Sequence, residues 1–315
     1  MGKQLPICDD TVPVHKTKHD YWNFTACIYS VDPFVASWPS RNVTFFYDKA
    51  TSKIDIIADE NLASPFFGEC IFHCMRSFAV YLRKPGLGHF IHAAGVSVKG
   101  NAILFLGNAN AGKTTLLIES ILRQKAIPVC NDRIILRNSN EKILGHSWPS
   151  YVSMCEGTIL NYPELTYAAN QYDNGHPEYK TISWDSPLKF SFSKKDKRIY
   201  PQKWLTALIS KKYLPNAEIR ALVFPNLNAG VDYSFKEIDL ANPSSKKWLA
   251  EKLVENSFDI EEPSFMPWHN IEFPIWGGHI DGLVYDLFRS QTKIFQIDIP
   301  LDKISESINE LSNQL

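Results

Sequence analysis

The sequence has almost no charge bias: 33 Lys and Arg stand against 34 Asp and Glu, a formal net charge of −1. A chain so balanced carries no whole-molecule field to draw it onto nucleic acid or an anionic membrane. Neither is expected as a partner, and any basic site must be local. Long apolar runs are also missing. Nothing approaches the roughly 18 residues that would span a bilayer, and residues 1–20 are polar and charged, without the apolar stretch of a signal peptide. A cytoplasmic protein is the expectation. Cysteine is sparse, six in 315 residues at irregular spacing, which argues for reduced thiols and against a disulfide framework. Cys70, His73 and Cys74 share helical spacing. Three ligands without a second cluster fall short of a metal site, and free Cys packs as a small hydrophobe, so they read as a buried helix face.

What is present suits a globular protein: 44% apolar and 21% charged residues over a length compatible with two domains. Val43–Tyr47 and Ile54–Ile57 alternate as strands around a turn at Asp48–Ser52. Phe66–Leu82 carries Ile71, Met75, Phe78, Ala79 and Leu82 at helical spacing before the Pro85–Gly86 break. His89–Val98 and Ala102–Leu106 form two strands across a turn at Lys99–Asn101. A helix is expected over Lys113–Gln124, a strand over Ile127–Cys130, and a hairpin over Ile134–Leu144. Residues 161–200 have little periodicity and read as long loops with scattered strands. Ile219–Phe224 is a strand, and Lys246–Glu255 and Leu301–Leu311 are helices. The fold class expected is α/β with a mixed sheet, in two parts: an N-terminal α+β region over 1–87 and a catalytic domain over 88–315.

Between one strand and the next helix lies Gly107-Asn108-Ala109-Asn110-Ala111-Gly112-Lys113-Thr114, followed by Thr115. This is a full P-loop pattern. Two glycines let the backbone turn its N–H groups inward onto phosphate oxygens, and the helix start adds its positive dipole end. Lys113 would sit at the β and γ phosphates and the Thr114 hydroxyl on magnesium. A chance match in a chain of this length is on the order of one in a hundred, so a nucleoside triphosphate, ATP or GTP, with Mg2+ is the ligand expected of Gly107–Thr115. A second magnesium-facing group belongs on a neighbouring strand end, and Ile127–Cys130 runs into Asn131–Asp132. An Asp after a strand is also an ordinary turn residue, and the upstream loop favours the active-site reading.

Several phosphate-loop classes lack their marks. Thr17-Lys18-His19-Asp20 spells a GTPase base-reading motif but precedes the loop, and no Leu-Ser-Gly-Gly-Gln transporter signature occurs. Small nucleotide kinases place the loop near the N-terminus, whereas about 100 residues precede it here. The stretch from His89 to Glu156 instead resembles the HPr kinase/phosphorylase catalytic domain, a family distantly akin to phosphoenolpyruvate carboxykinases. His92 lies fifteen residues before Gly107, Asn131–Asp132 stands, with about one extra residue, where the family has an Asp pair, and Gly145-His-Ser-Trp-Pro149 precedes Glu156 by the family's spacing of eleven from Gly145.

The resemblance implies a P-loop kinase core of HPr kinase type and assigns roles. Asp132 is the base that accepts the substrate hydroxyl proton, and His92 hydrogen-bonds and tunes it. Glu156 and Thr114, with Asn131, hold magnesium, while Lys113 neutralises the transferring phosphoryl group. His92 alone would read as a core histidine and Glu156 alone as a solvated carboxylate. Two departures stand out. Asn131 replaces the first Asp, removing a charge and weakening cation binding, and no Arg-Gly signature or phosphorolysis loop follows Glu156. The likeness is therefore to diverged relatives that phosphorylate a hydroxyl elsewhere: on serine in peptides, on precursor peptides of modified natural products, or on free serine. The acceptor expected is a hydroxyl-bearing peptide, protein or small molecule, and the family's symmetric assemblies imply a homo-oligomer.

Three weaker features remain. Lys194, Lys195, Lys197 and Arg198, with Lys211 and Lys212, would supply a cation to the phosphoryl group or form a solvated loop. Gly277–Gly278 before His279 and Asp281 is a turn, at the border of a pocket or elsewhere, and nothing in its residues makes it more than that. The alternatives to a kinase are a nucleotide-binding regulatory or scaffold protein whose catalysis has decayed, as Asn131 suggests, and a mechanical ATPase, for which no arginine finger is visible.

Overall fold

The computed structural model describes residues 15–19, 24–31, 34–38, 43–48, 50–51, 53–58, 88–148, 150–173, 197–228, 230–257 and 280–315. These fall into two units, one holding residues 15–58 and the other residues 88–257 and 280–315. The expected helix at Phe66–Leu82, with Cys70, His73 and Cys74, lies outside the described residues, as do Lys194, Lys195, Gly277, Gly278 and His279.

The first unit is an antiparallel meander: β1 (His15–His19), β2 (Phe24–Val31), β3 (Phe34–Trp38), β4 (Val43–Asp48) and β5 (Lys53–Ala58), each pairing with the next. Asp48 pairs with Lys53 across the last turn.

The second unit is a mixed α/β structure around an eight-stranded sheet. Its strands are β6 (His89–Val98), β7 (Asn101–Leu106), β8 (Ile127–Cys130), β9 (Arg133–Ser139), β10 (Lys142–Ser147), β13 (Asn216–Leu227), β14 (Ser234–Glu237) and β15 (Lys293–Ile299). β13 runs parallel to β7 and β15, and the other pairings are antiparallel. The start of β13 also pairs with β10, so β10, β9, β6, β7 and β13 form a closed circuit. A separate two-stranded ribbon joins β11 (Val152–Cys155) to β12 (Lys197–Tyr200).

Helices cover both faces. α1 (Lys113–Gln124), α2 (Glu156–Leu160), α3 (Pro163–Asp173), α4 (Gln202–Ile209) and α7 (Ile304–Asn313) contribute to one core. α5 (Pro243–Glu255) and α6 (Ile280–Arg289) contribute to the other. β7 shows why its sequence is one unbroken apolar run. Ile103 and Phe105 enter the first core while Ala102, Leu104 and Leu106 enter the second, so both faces are dry. Among the described residues no helix is long and apolar enough to cross a membrane.

Of the stretch expected to be loops with scattered strands, residues 161–200, β12 is such a strand, residues 174–196 lie outside the described residues, and the departure is α3 at Pro163–Asp173. The helix escapes an apolar-periodicity search because its buried face mixes Leu165 and Ala169 with Thr166 and Asp173, while Tyr167 and Tyr172 point outward. The hidden polar groups are satisfied: Thr166 Oγ1 donates to the Ile159 carbonyl at 2.9 Å, and Asp173 accepts from Arg198. Hydrogen bonding there replaces the hydrophobic signal.

Candidate phosphate-loop site

β7 delivers the chain to Gly107 at the sheet edge, and the following loop takes conformations that L side chains resist. Gly107 has φ +147° and Gly112 φ +97°, with Asn110 also in the left-handed region at +69°. Space forbids side chains as firmly as torsion does. A Cβ on Gly112 would lie 2.5 Å from the Leu227 Cβ, and one on Gly107 would lie 2.9 Å from that of Ala111. Leu227 ends β13 and its N–H donates to the Ala111 carbonyl at 3.3 Å, clamping the loop to the parallel neighbour strand. α1 then begins at Lys113 with no side-chain cap on its first turn. Its leading N–H groups and dipole are left for an anion.

Lys113 folds back over the loop, donating from Nζ to the carbonyls of Gly107 and Asn108, the latter at 3.1 Å. Burial pulls its ammonium down to about 8, with Asp132 acting against that and Lys197 adding to it. An ammonium so placed is short of negative charge.

The cross-strand register explains why residues forty apart meet. β6 is long enough to pair with β8 through Ser97–Gly95 and with β9 through His92–His89. The break between β8 and β9 is Asn131–Asp132, and the Ala93 N–H donates to the Asp132 carbonyl at 3.2 Å. His92 Nε2 therefore lies 3.3 Å from Asp132 Oδ1. The Arg133 Nε stands 3.3 Å from Asp132 Oδ2, a cation that sequence reading did not anticipate. Asn131 is 8% exposed and donates from Nδ2 to the Tyr151 carbonyl at 2.9 Å. That bond fixes which end of the amide is oxygen, and the Oδ1 so defined is buried without a hydrogen-bond partner.

One pocket, with about 780 Å3 of empty space including its mouth, gathers His92, Ala109, Asn110, Gly112, Lys113, Thr114, Thr115, Asn131 and Asp132. Ser153, Cys155, Thr158, Lys197 and Leu227 complete its lining. Thr115 Oγ1 meets Thr158 Oγ1 at 3.1 Å, joining α1 to α2. Gly107, Asn108 and Ala111 form the loop without lining the pocket. Glu156 is adjacent in sequence to Cys155 but is not in the lining. Its carboxylate instead accepts from Arg198 Nε at 2.8 Å and from Nη2, while Arg198 Nη1 donates to Asp173 at 2.6 Å. Burial would lower the Arg198 pKa, and the hydrogen bonds to both carboxylates outweigh it. Arg198, a candidate phosphate cation from sequence, is thus committed to two carboxylates. Lys211 reaches the carbonyls of Lys125 and Ala126 at the end of α1, where a cation complements the helix dipole.

Asn256, just past α5, is a positioning residue that sequence did not reveal. Its Oδ1 accepts from Gly107 N at 2.9 Å, its carbonyl accepts from His92 N at 2.7 Å, and its Nδ2 donates to the Lys252 carbonyl. The only mark in the sequence is that of an Asn ending a helix, which says nothing of a loop 149 residues earlier.

No family model matches the chain, and no curated protein matches it. Among solved structures the chain is similar to the HPr(Ser) kinase/phosphatase from Coxiella burnetii, at 12% identity and a TM-score of 0.30. That match covers 71% of this chain and 94% of the other. A likeness so remote carries neither fold nor activity across.

Proposed function

We propose that this chain is an ATP-dependent kinase that transfers the γ-phosphate to a hydroxyl of a peptide, protein or small molecule. The carrying observation is the meeting in one pocket of a glycine loop at an uncapped helix start, Lys113, and the His92–Asp132 pair. A phosphate site alone would need only the first two. A carboxylate beside it, held by a histidine from the next strand, suits removal of a proton from an acceptor hydroxyl. The P-loop core of HPr kinase type belongs to the same proposal and rests on the spacing of His92, Gly107, Asp132 and Glu156.

The oxygens present fit a magnesium ion. Thr114 lines the pocket, and the Asn131 Oδ1 is a buried acceptor without a donor. These two would hold the ion, and Glu156, whose Oε1 is on Arg198 and which lies outside the pocket lining, would join them only by turning toward the pocket. Magnesium when bound supplies positive charge to the β and γ oxygens. The acceptor hydroxyl gives its proton to Asp132 as its oxygen attacks phosphorus, and ADP leaves with the bridging electron pair.

The test is transfer from labelled ATP to candidate serine-containing peptides and free serine by wild type and Asp132→Asn. Transfer is expected to fall about 10²- to 10⁴-fold in the variant, with ATP affinity within about threefold of wild type. Undiminished transfer would remove Asp132 as base. A second reading, a nucleotide-binding regulatory or scaffold protein without turnover, is favoured by Asn131 and by the engagement of Glu156 with Arg198. It predicts ATP binding with no transfer or hydrolysis by wild type, and turnover gained in Asn131→Asp.

A further inference from the structure

We propose that Lys197 is a second phosphate-binding cation, contacting the γ-phosphoryl group of the nucleotide from the β11–β12 wall of the pocket. This rests on the nucleotide reading above and adds to it a residue that the loop pattern does not contain.

The backbone fixes where Lys197 must point. Residues of a strand alternate in face, and β12 follows that rule: Arg198 and Tyr200 are buried while Lys197 and Ile199 are half-buried. The buried face is anchored. Arg198 binds Glu156 and Asp173, the Tyr200 hydroxyl donates to Asp173 at 3.0 Å, and the Tyr200 ring stacks on Trp204 with centroids 4.2 Å apart. With that face locked, Lys197 projects from the other, in register with Cys155, and both line the pocket. A lysine on an anchored strand loses less freedom on meeting an anion than one on a free loop.

The charge balance of the lining points the same way. Lys113 and Lys197 are its two ammonium groups and Asp132 its one carboxylate, because Asn131 is neutral. Lys113 and Lys197 line one pocket and feel each other electrostatically, and an anion shared between them would offset that repulsion. The β-phosphate is already served by loop amides and the start of α1. The terminal phosphoryl, which gathers charge on its oxygens as it transfers and has Lys113 on one side, is the group that a second ammonium on the β11–β12 wall would serve.

The experiment compares equilibrium binding of Mg·ATP and Mg·ADP to the full chain in wild type, Lys197→Met and Lys197→Arg, with melting temperatures recorded for each. Lys197→Met is expected to weaken ATP binding about tenfold, the loss of one charge contact, and ADP binding less than about twofold. Lys197→Arg, which keeps the charge, should stay within about threefold for both. Equal losses for ATP and ADP, or no change in either, overturn the proposal; the second of these would be the result if Lys197 served an acidic acceptor. Wild type binding neither nucleotide would sink the kinase reading itself and this proposal with it. Wild type binding both equally to Lys197→Met sinks this proposal alone.

Discussion

Lys113 sits in surroundings that disfavour its own charge, and this has a measurable consequence at the scale of a single residue. Its ammonium titrates at about 8 in the free protein because burial opposes the charged form. A triphosphate beside it would favour that form and raise the value, so binding takes up a proton wherever free Lys113 is deprotonated. Uptake is negligible below pH 7, where the lysine is already charged, and about half a proton at pH 8. Calorimetry of Mg·ATP binding in buffers of different ionisation heat should show this, and Lys113→Arg, whose charge never titrates, should abolish it. Lys113→Ala should weaken both ATP and ADP, each by at least about tenfold, whereas Lys197→Met largely spares ADP. Binding unaltered in Lys113→Ala would leave the glycine loop without a phosphate function.

At the scale of the element, the loop and its supports were legible in the sequence to different degrees. β6, β7, α1 and β8 follow from apolar runs broken by Gly and turn residues, and the loop from its glycines. Those cues are local. Asn256 and Arg198 are not, because their partners lie far along the chain and only the fold brings them together. The same gap concealed α3, whose buried face is partly polar. Gly112→Ala tests the legible part: its Cβ would collide with Leu227 and its φ of +97° is strained. Nucleotide binding should be lost, and Leu227→Gly, which removes the obstructing Cβ without relieving the torsion, should not restore it. Asn256→Ala tests the other part. It strands the Gly107 N–H and should lower stability by about 1–3 kcal/mol, read by urea unfolding, while also weakening ATP binding.

For the whole molecule, the near-zero net charge means that any attraction for a nucleotide would have to arise inside the pocket and not from a long-range field. The buried cluster of Arg198, Glu156, Asp173 and Tyr200 ties β12, α2 and α3 together. Arg198→Met would leave Asp173, whose side chain is 2% exposed, without its cation. The expected loss is about 3–5 kcal/mol, seen as a lower denaturation midpoint. Arg198→Met combined with Glu156→Gln and Asp173→Asn should recover part of that loss, since no uncompensated charge is then left inside. A triple variant as unstable as the single one would show that packing, and not charge, is what Arg198 supplies.

The bond from Gly107 to Asn256 sets an order of events during synthesis. Most of the pocket lining leaves the ribosome early, yet the staple holding its first glycine and the His92 backbone is translated only at residue 256. Leu227 and the parallel strand behind the loop also arrive late. A nascent chain stalled near residue 210 should therefore fail to retain ATP on immobilised nucleotide, and residues 1–315 should retain it. The site matures from a distance, when β13 and the end of α5 reach a loop made well before them.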